Sequence, residues 1–165
     1  MIEEFKMVEG FEDYRVSNYG RVFNDYSGRE MVLSPTMYGD LSVGMYRHGQ
    51  QFRRSVKGLV ARAFVPGEDD VFDTPILLDG DRHNLKSTNI LWRPRWFALK
   101  YIRQITDPHQ WQFQGPIIDV THRIEYQSIM EAAMLNGLLC ADIRRSIIEG
   151  RRVFPNGETY ASSFI

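Results

Sequence analysis

The sequence predicts an α+β chain made of small antiparallel hairpins and short helices. Three observations carry that expectation. Short apolar runs stop at turn dipeptides such as Asp79-Gly80, which readily take positive φ and reverse a strand. Apolar residues at helical spacing fill only brief windows, of which Val56, Leu59, Val60 and Phe64 form one. Ser128 with Glu131, followed by Asn136-Gly137, supplies start and stop signals for a helix near the C-terminus.

Composition narrows the function classes. An apolar share of 43%, with 13% aromatic residues, lets a chain of 165 residues bury a core, as one domain or as a few small modules. A net charge of −1 excludes a uniformly basic nucleic-acid coat, so any contact with DNA must use local patches. The single cysteine, Cys140, excludes a disulfide framework and a Cys-based zinc site. So little cysteine fits a reducing cytoplasm. No apolar run approaches membrane-spanning length, and Met1-Ile2-Glu3-Glu4 does not open a signal peptide. The expected setting is cytoplasmic, with no membrane partner.

Taken in order, Gly10 to Phe23 predicts two strands around the turn Asn18-Tyr19-Gly20. Leu41 to Met45 and Gln51 to Ser55 predict a hairpin closed by Arg47-His48-Gly49-Gln50, and a helix comes next from Val56 to Phe64, ended by Pro66-Gly67. Pro75 to Leu78, the Asp79-Gly80 turn, a polar loop, Ile90 to Trp92 and a helix with Pro94 in its first turn give strand, loop, strand, helix. Proline is tolerated there because its missing N–H has no helical partner to lose. This is the plan of a ββα unit. Residues 106–115 have linker composition, and Pro116 to Val120 with Arg123 to Tyr126 predicts a second hairpin. Helices from Ile129 to Leu135 and from Cys140 to Glu149, joined through a glycine turn, predict a helix-turn-helix. A last strand pair, Val153-Phe154 and Thr159-Tyr160, is expected to flank Pro155-Asn156-Gly157. The expected division is residues 1–105, a linker 106–115, and a C-terminal module 116–165.

Charge is segregated. Arg47, Arg53, Arg54, Lys57 and Arg62 fall in a stretch without an acid; Glu68, Asp69, Asp70, Asp73, Asp79 and Asp81 fall in a stretch without a base. A basic hairpin leading into a helix can lie along a phosphate backbone, while an acidic run is most simply a solvated loop.

Asp79-Gly80-Asp81, Asn84 and Asn89-Ile90-Leu91-Trp92 resemble the HNH motif of phage and intron-encoded homing endonucleases. Gly10 to Pro66 resembles the nuclease-associated modular domain that precedes that motif, through Gly10-Phe11-Glu12-Asp13-Tyr14-Arg15-Val16-Ser17-Asn18 and Val56 to Phe64. The His-Arg pair expected in the latter stretch is replaced by Lys57-Gly58. Pro116 to Ser162 resembles the family's C-terminal DNA-binding module. The three modules stand in the family's order over nearly the whole chain.

The resemblance also implies where chemistry should sit. A neutral His would deprotonate water, and a divalent ion held by a carboxylate or His and a helix residue would stabilise the leaving oxygen. Anchored on Asp79-Gly80 and Asn89 to Trp92, the family's metal ligand falls at Ile76, its general base at Leu77 and its helix ligand at Ala98. Only Asn89, the central Asn, is retained. Aliphatic side chains offer no lone pair to Mg²⁺. Asp79, Asp81 and His83 are the weak alternative ligands, and His48, His109 and His122 are expected at the surface.

The primary expectation is therefore a binder of double-stranded DNA, derived from a homing endonuclease and without cofactor. Its candidate DNA-binding residues are Arg47, Arg53, Arg54, Lys57, Arg93, Arg95, Arg144 and Arg145. One alternative is a module that binds a phage or host protein through Trp96, Trp111 and Phe113. Another is a divergent Mg²⁺-dependent nuclease. The resemblance places the chain in a phage-infected bacterium.

Overall fold

A computed structural model describes residues 2–107 and 115–163. Most of the expected linker, with His109, Trp111 and Phe113, lies outside the described residues. The chain divides into two compact units, Met1–Arg95 and Trp96–Ile165.

In the first unit, β1 (Phe5–Val8), β2 (Phe11–Ser17), β3 (Val22–Asn24) and β4 (Arg29–Glu30) form one antiparallel sheet in that order. β2 buries Phe11, Tyr14 and Val16 and exposes Glu12, Asp13 and Arg15, the near-alternation that made it legible. β1 and β4 were not anticipated: their burial patterns do not alternate, so no period marks them. Gly20 turns the chain at φ +88°, and a Cβ there would lie 2.6 Å from the Leu85 Cβ. Only glycine fits both constraints.

A second sheet holds β5 (Ser34–Pro35), β6 (Leu41–Arg47) and β7 (Gln50–Ser55). The predicted hairpin is β6–β7, with Met45 opposite Phe52 and Arg47 opposite Gln50. α1 (Val56–Phe64) begins at once after it, its first turn capped by the Ser55 hydroxyl, which accepts from the Gly58 N–H. It ends where Val65, extended before Pro66, leaves the helical region. α1 buries Val56, Leu59, Val60 and Ala61 in a core shared with Val16, Val43, Met45, Leu77, Ile90 and Trp92. Each large aliphatic side chain there contributes about 1.5–3 kcal/mol by leaving water. β8 (Thr74–Leu77) and β9 (Ile90–Arg93) pair antiparallel, Ile76 opposite Leu91 and Leu77 opposite Ile90.

The second unit contains α2 (Arg95–Thr106, from Trp96 on), α3 (Ile129–Asn136) and α4 (Cys140–Glu149). Its sheet has the order β11 (Ile124–Tyr126), β10 (Ile117–Asp119), β12 (Tyr160–Ser162). The β10–β11 hairpin agrees with expectation. The expected partnership of Val153-Phe154 with Thr159-Tyr160 does not form a strand pair; Tyr160–Ser162 instead pairs with β10, Asp119 opposite Tyr160. Val153 is held in a tight turn, its N–H donating to the Glu158 carbonyl and its carbonyl accepting from Gly157 N–H. Pro155, lacking an N–H, cannot extend a ladder.

Ser128 caps α3 by accepting from the Glu131 N–H. The return half of the expected capping box shifts by one residue: the Glu131 carboxylate accepts from the Gln127 N–H, not from Ser128. Gly137, left-handed at φ 61°, ends α3 as its sequence predicted. The core of this unit gathers Ile117, Tyr126, Ile129, Ala132, Leu138, Cys140, Ile143 and Tyr160. Burial pushes the Cys140 thiol up to about 12, which leaves it unreactive. Among the described residues, no helix is long and apolar enough to cross a membrane.

Candidate functional site

The turn after β8 is a closed hydrogen-bond network. Asn89 Nδ2 donates to Asp79 Oδ1 at 2.8 Å and to the Asn84 carbonyl at 2.9 Å. Asn89 Oδ1 accepts from the Asp79 N–H at 3.1 Å, and its backbone carbonyl accepts from Leu78 N–H at 2.8 Å. Asp79 Oδ2 accepts from Asn84 Nδ2 at 2.6 Å, and Oδ1 also accepts from the Asp81 N–H. Burial raises the Asp79 carboxyl, but donors from Asn84, Asn89 and Asp81 outweigh it and hold the group below the usual carboxylate range. Gly80, at φ 72°, supplies the left-handed corner that this closure requires.

Both Asp79 oxygens are therefore occupied by structural donors. Asp81 accepts from the His83 N–H, and the His83 ring stands 3.6 Å from Asp81 with its side chain 75% exposed. These three candidates are neighbours in one turn, but they do not focus on a common point. Ile76, Leu77 and Ala98 are all buried. None carries a donor atom for a metal or an acceptor for a proton, so these residues do not fit the ion that the resemblance implies there.

The candidate DNA contacts separate into distinct settings. In the β6–β7 hairpin, Arg54 stands opposite Val43 and Arg53 opposite Gly44, so the two project from opposite faces. Arg47 and Arg54 both stack over the edge-to-face pair Phe11 and Phe52, each guanidinium between 5.2 and 5.5 Å from the two ring centroids. They line a cavity of about 340 Å³ together with Arg62, Gly10 and Leu59. Arg53 faces solvent. Lys57 is largely covered and 4.0 Å from the Asp40 carboxylate. Arg93 is buried, donating to the Trp92 carbonyl, whereas Arg95 is exposed. Arg144 and Arg145 are exposed on α4, Arg145 lying 3.6 Å from Asp142. Trp96, the protein-docking candidate within the described residues, is half exposed and packs 5.8 Å from the Phe154 ring.

Helices α3 and α4 are joined by Gly137, Leu138 and Leu139. Leu139, as N-cap of α4, makes no side-chain capping bond. Gln104 of α2 supplies it instead: its Oε1 accepts from the Cys140 N–H, and its Nε2 donates to the Leu138 carbonyl, both at 2.9 Å. Gln104 is buried, so this amide fixes the turn between the two helices. No sequence signal pointed to it.

The sequence also missed a second cluster. His122 Nδ1 lies 2.8 Å from Asp119 Oδ2 and 3.2 Å from Glu158 Oε1. His122 was expected as a plain surface residue; it is half exposed but engaged by two carboxylates. A hydrogen bond and the charge of Asp119 raise the imidazole above its usual range. Burial acts against the Asp119 charge, yet hydrogen bonds from the His122 ring and from the backbone N–H groups of His122 and Thr121 bring its carboxyl below the usual range. Asp119 and His122 share a turn and were visible as neighbours. Glu158 reaches them only through the pairing of β12 with β10.

The family described as the NUMOD4 motif matches residues 3–45. A solved structure of DNA binding and cleavage by the HNH homing endonuclease I-HmuI matches 98% of this chain and 99% of that chain, with a TM-score of 0.57 and 25% identity. The chain belongs to the HNH homing-endonuclease family. Within this family, the DNA endonuclease I-HmuI of Bacillus phage SP01 is 33% identical over 92 residues, which are 54% of this chain. By that alignment the chain spans 51% of the length of the curated relative. Small antiparallel sheets, a ββα-like order and a C-terminal helix-turn-helix region are the family's architecture, in agreement with the fold class the sequence predicted.

Proposed function

We propose that this chain binds double-stranded DNA in the manner of a homing endonuclease. The observation that carries the reading is the helix-turn-helix: α3, a three-residue turn locked by Gln104, and α4 with Arg144 and Arg145 exposed. Arginines so placed can pair with guanine in the major groove, while Arg53 and Arg95 contribute phosphate contacts. The test is duplex binding measured against salt. The affinity should fall with a log–log slope of about −0.9 per neutralised phosphate. A flat response removes the reading.

Once DNA is bound, two outcomes are open to the chain. In the first, the ββα unit holds DNA without cutting it, supported by the aliphatic residues Ile76, Leu77 and Ala98 and by the saturated Asp79 carboxylate. The second is cleavage by a divergent, metal-dependent endonuclease, and the comparisons lend it more support than they lend the loss of cleavage. The relative and the solved structure are both named as endonucleases, and Asp119, His122 and Glu158 group donor atoms suited to an ion. Supercoiled plasmid with Mg²⁺ or Mn²⁺ separates them. Nicking that is lost in His122→Ala selects the endonuclease; salt-dependent binding without nicking selects the non-cutting binder.

A further inference from the structure

We propose that Asp119, His122 and Glu158 form a binding site for one divalent transition ion of the Zn²⁺ class. The two carboxylates are aimed at the imidazole by their own hydrogen bonds. Asp119 Oδ1 accepts from the N–H groups of Thr121 and His122, and its Oδ2 is turned to the imidazole. Glu158 Oε2 accepts from the Tyr160 hydroxyl and from Asn156 Nδ2, and its Oε1 is turned to the same nitrogen. Each carboxylate is thus oriented through one oxygen and points the other at His122 Nδ1. Outer hydrogen bonds of this kind are what fix metal ligands in position.

Three electron-pair donors from three segments meet at one point, with their ligand atoms all within 4.8 Å of one another. They are the end of β10, the β10–β11 turn and the approach to β12. Such a convergence calls for a cation. A proton on the imidazole supplies one positive charge; a divalent ion supplies two. Ligands about 2.1 Å from an ion and roughly 90–110° apart are separated by about 3.0–3.4 Å. The observed 2.8 and 3.2 Å need only a small expansion. One imidazole and two carboxylates suit Zn²⁺, whereas Mg²⁺ prefers oxygen ligands and keeps its waters. The Asp119 side chain is 2% exposed and that of His122 54%, so the ion would be anchored from the sheet and approached from solvent. A bound ion would tie β12 to the β10–β11 turn, whether or not the chain cuts DNA.

The test uses the full chain, stripped by chelator and titrated with Zn²⁺ by calorimetry without DNA. Co²⁺ serves as a second probe through its visible absorption. One ion per chain is expected, with binding weakened at least tenfold in both His122→Ala and Glu158→Gln and unchanged in His83→Ala. Far-UV circular dichroism checks that each variant is folded. Should His122→Ala fail that check, Glu158→Gln decides, since it keeps the shape and removes only the charge. Absent binding, or binding equal in the wild type and Glu158→Gln, overturns the site. DNA binding is measured separately, so failure here leaves that reading standing and failure there leaves this one.

Discussion

Asn89 and Asp79 hold each other at both ends. The Asn89 amide nitrogen donates to the Asp79 carboxylate at 2.8 Å, while its amide oxygen accepts from the Asp79 N–H at 3.1 Å. The central Asn of the ββα unit is therefore a structural staple, closing the loop between β8 and β9.

Asn89→Ala is expected to destabilise the chain by about 2–3 kcal/mol, because it strands a backbone donor and two acceptors in a mostly buried turn. Chemical denaturation measures it. A change under about 0.5 kcal/mol, the scale of an ordinary surface substitution, would show that water replaces the amide at no cost.

Acid should loosen the same turn. Asp79 has a folded-state pKa below its unfolded value, which is about 3.9. Its contribution is fully present above about pH 4 and is lost as pH falls through the folded value. Asp79→Asn should give a flatter stability curve than the wild type between roughly pH 4 and pH 2. Parallel curves would remove Asp79 from the acid response.

Gly20→Ala combines a φ of +88° with a 2.6 Å approach to the Leu85 Cβ. The expected loss is about 2–4 kcal/mol, seen as a lowered thermal midpoint. An unchanged midpoint would mean that the turn and the Leu85 loop shift together.

Gln104→Ala leaves the first N–H of α4 and the Leu138 carbonyl without the amide. About 2–3 kcal/mol should be lost. Amide hydrogen exchange should rise at Cys140. Exchange unchanged there would place the clamp elsewhere.

Arg144→Ala with Arg145→Ala should weaken duplex binding and reduce the salt slope by about 0.9 for each phosphate contact removed. Arg93→Ala, by contrast, should lower stability, because Arg93 is buried. A salt slope that moves with Arg93 and not with the α4 pair would reverse this assignment.

The residues alone determined the α+β class, the bounds of α1 and α4, the β6–β7 and β10–β11 hairpins and the Gly137 stop. Periodicity, caps and turn dipeptides act within a few residues, so a linear reading can find them. The three aliphatic residues Ile76, Leu77 and Ala98 were also legible, since chemistry absent from a side chain needs no coordinates. Tertiary structure alone decided the rest: that Arg53 and Arg54 face opposite ways, that Arg93 is buried, and that Gln104 caps a helix far along the chain. It also brought Glu158 to Asp119 and His122. Hydrogen bonds between distant segments depend on which strand pairs with which, and β12 chose β10 because the turn at Pro155 could not extend a ladder of its own.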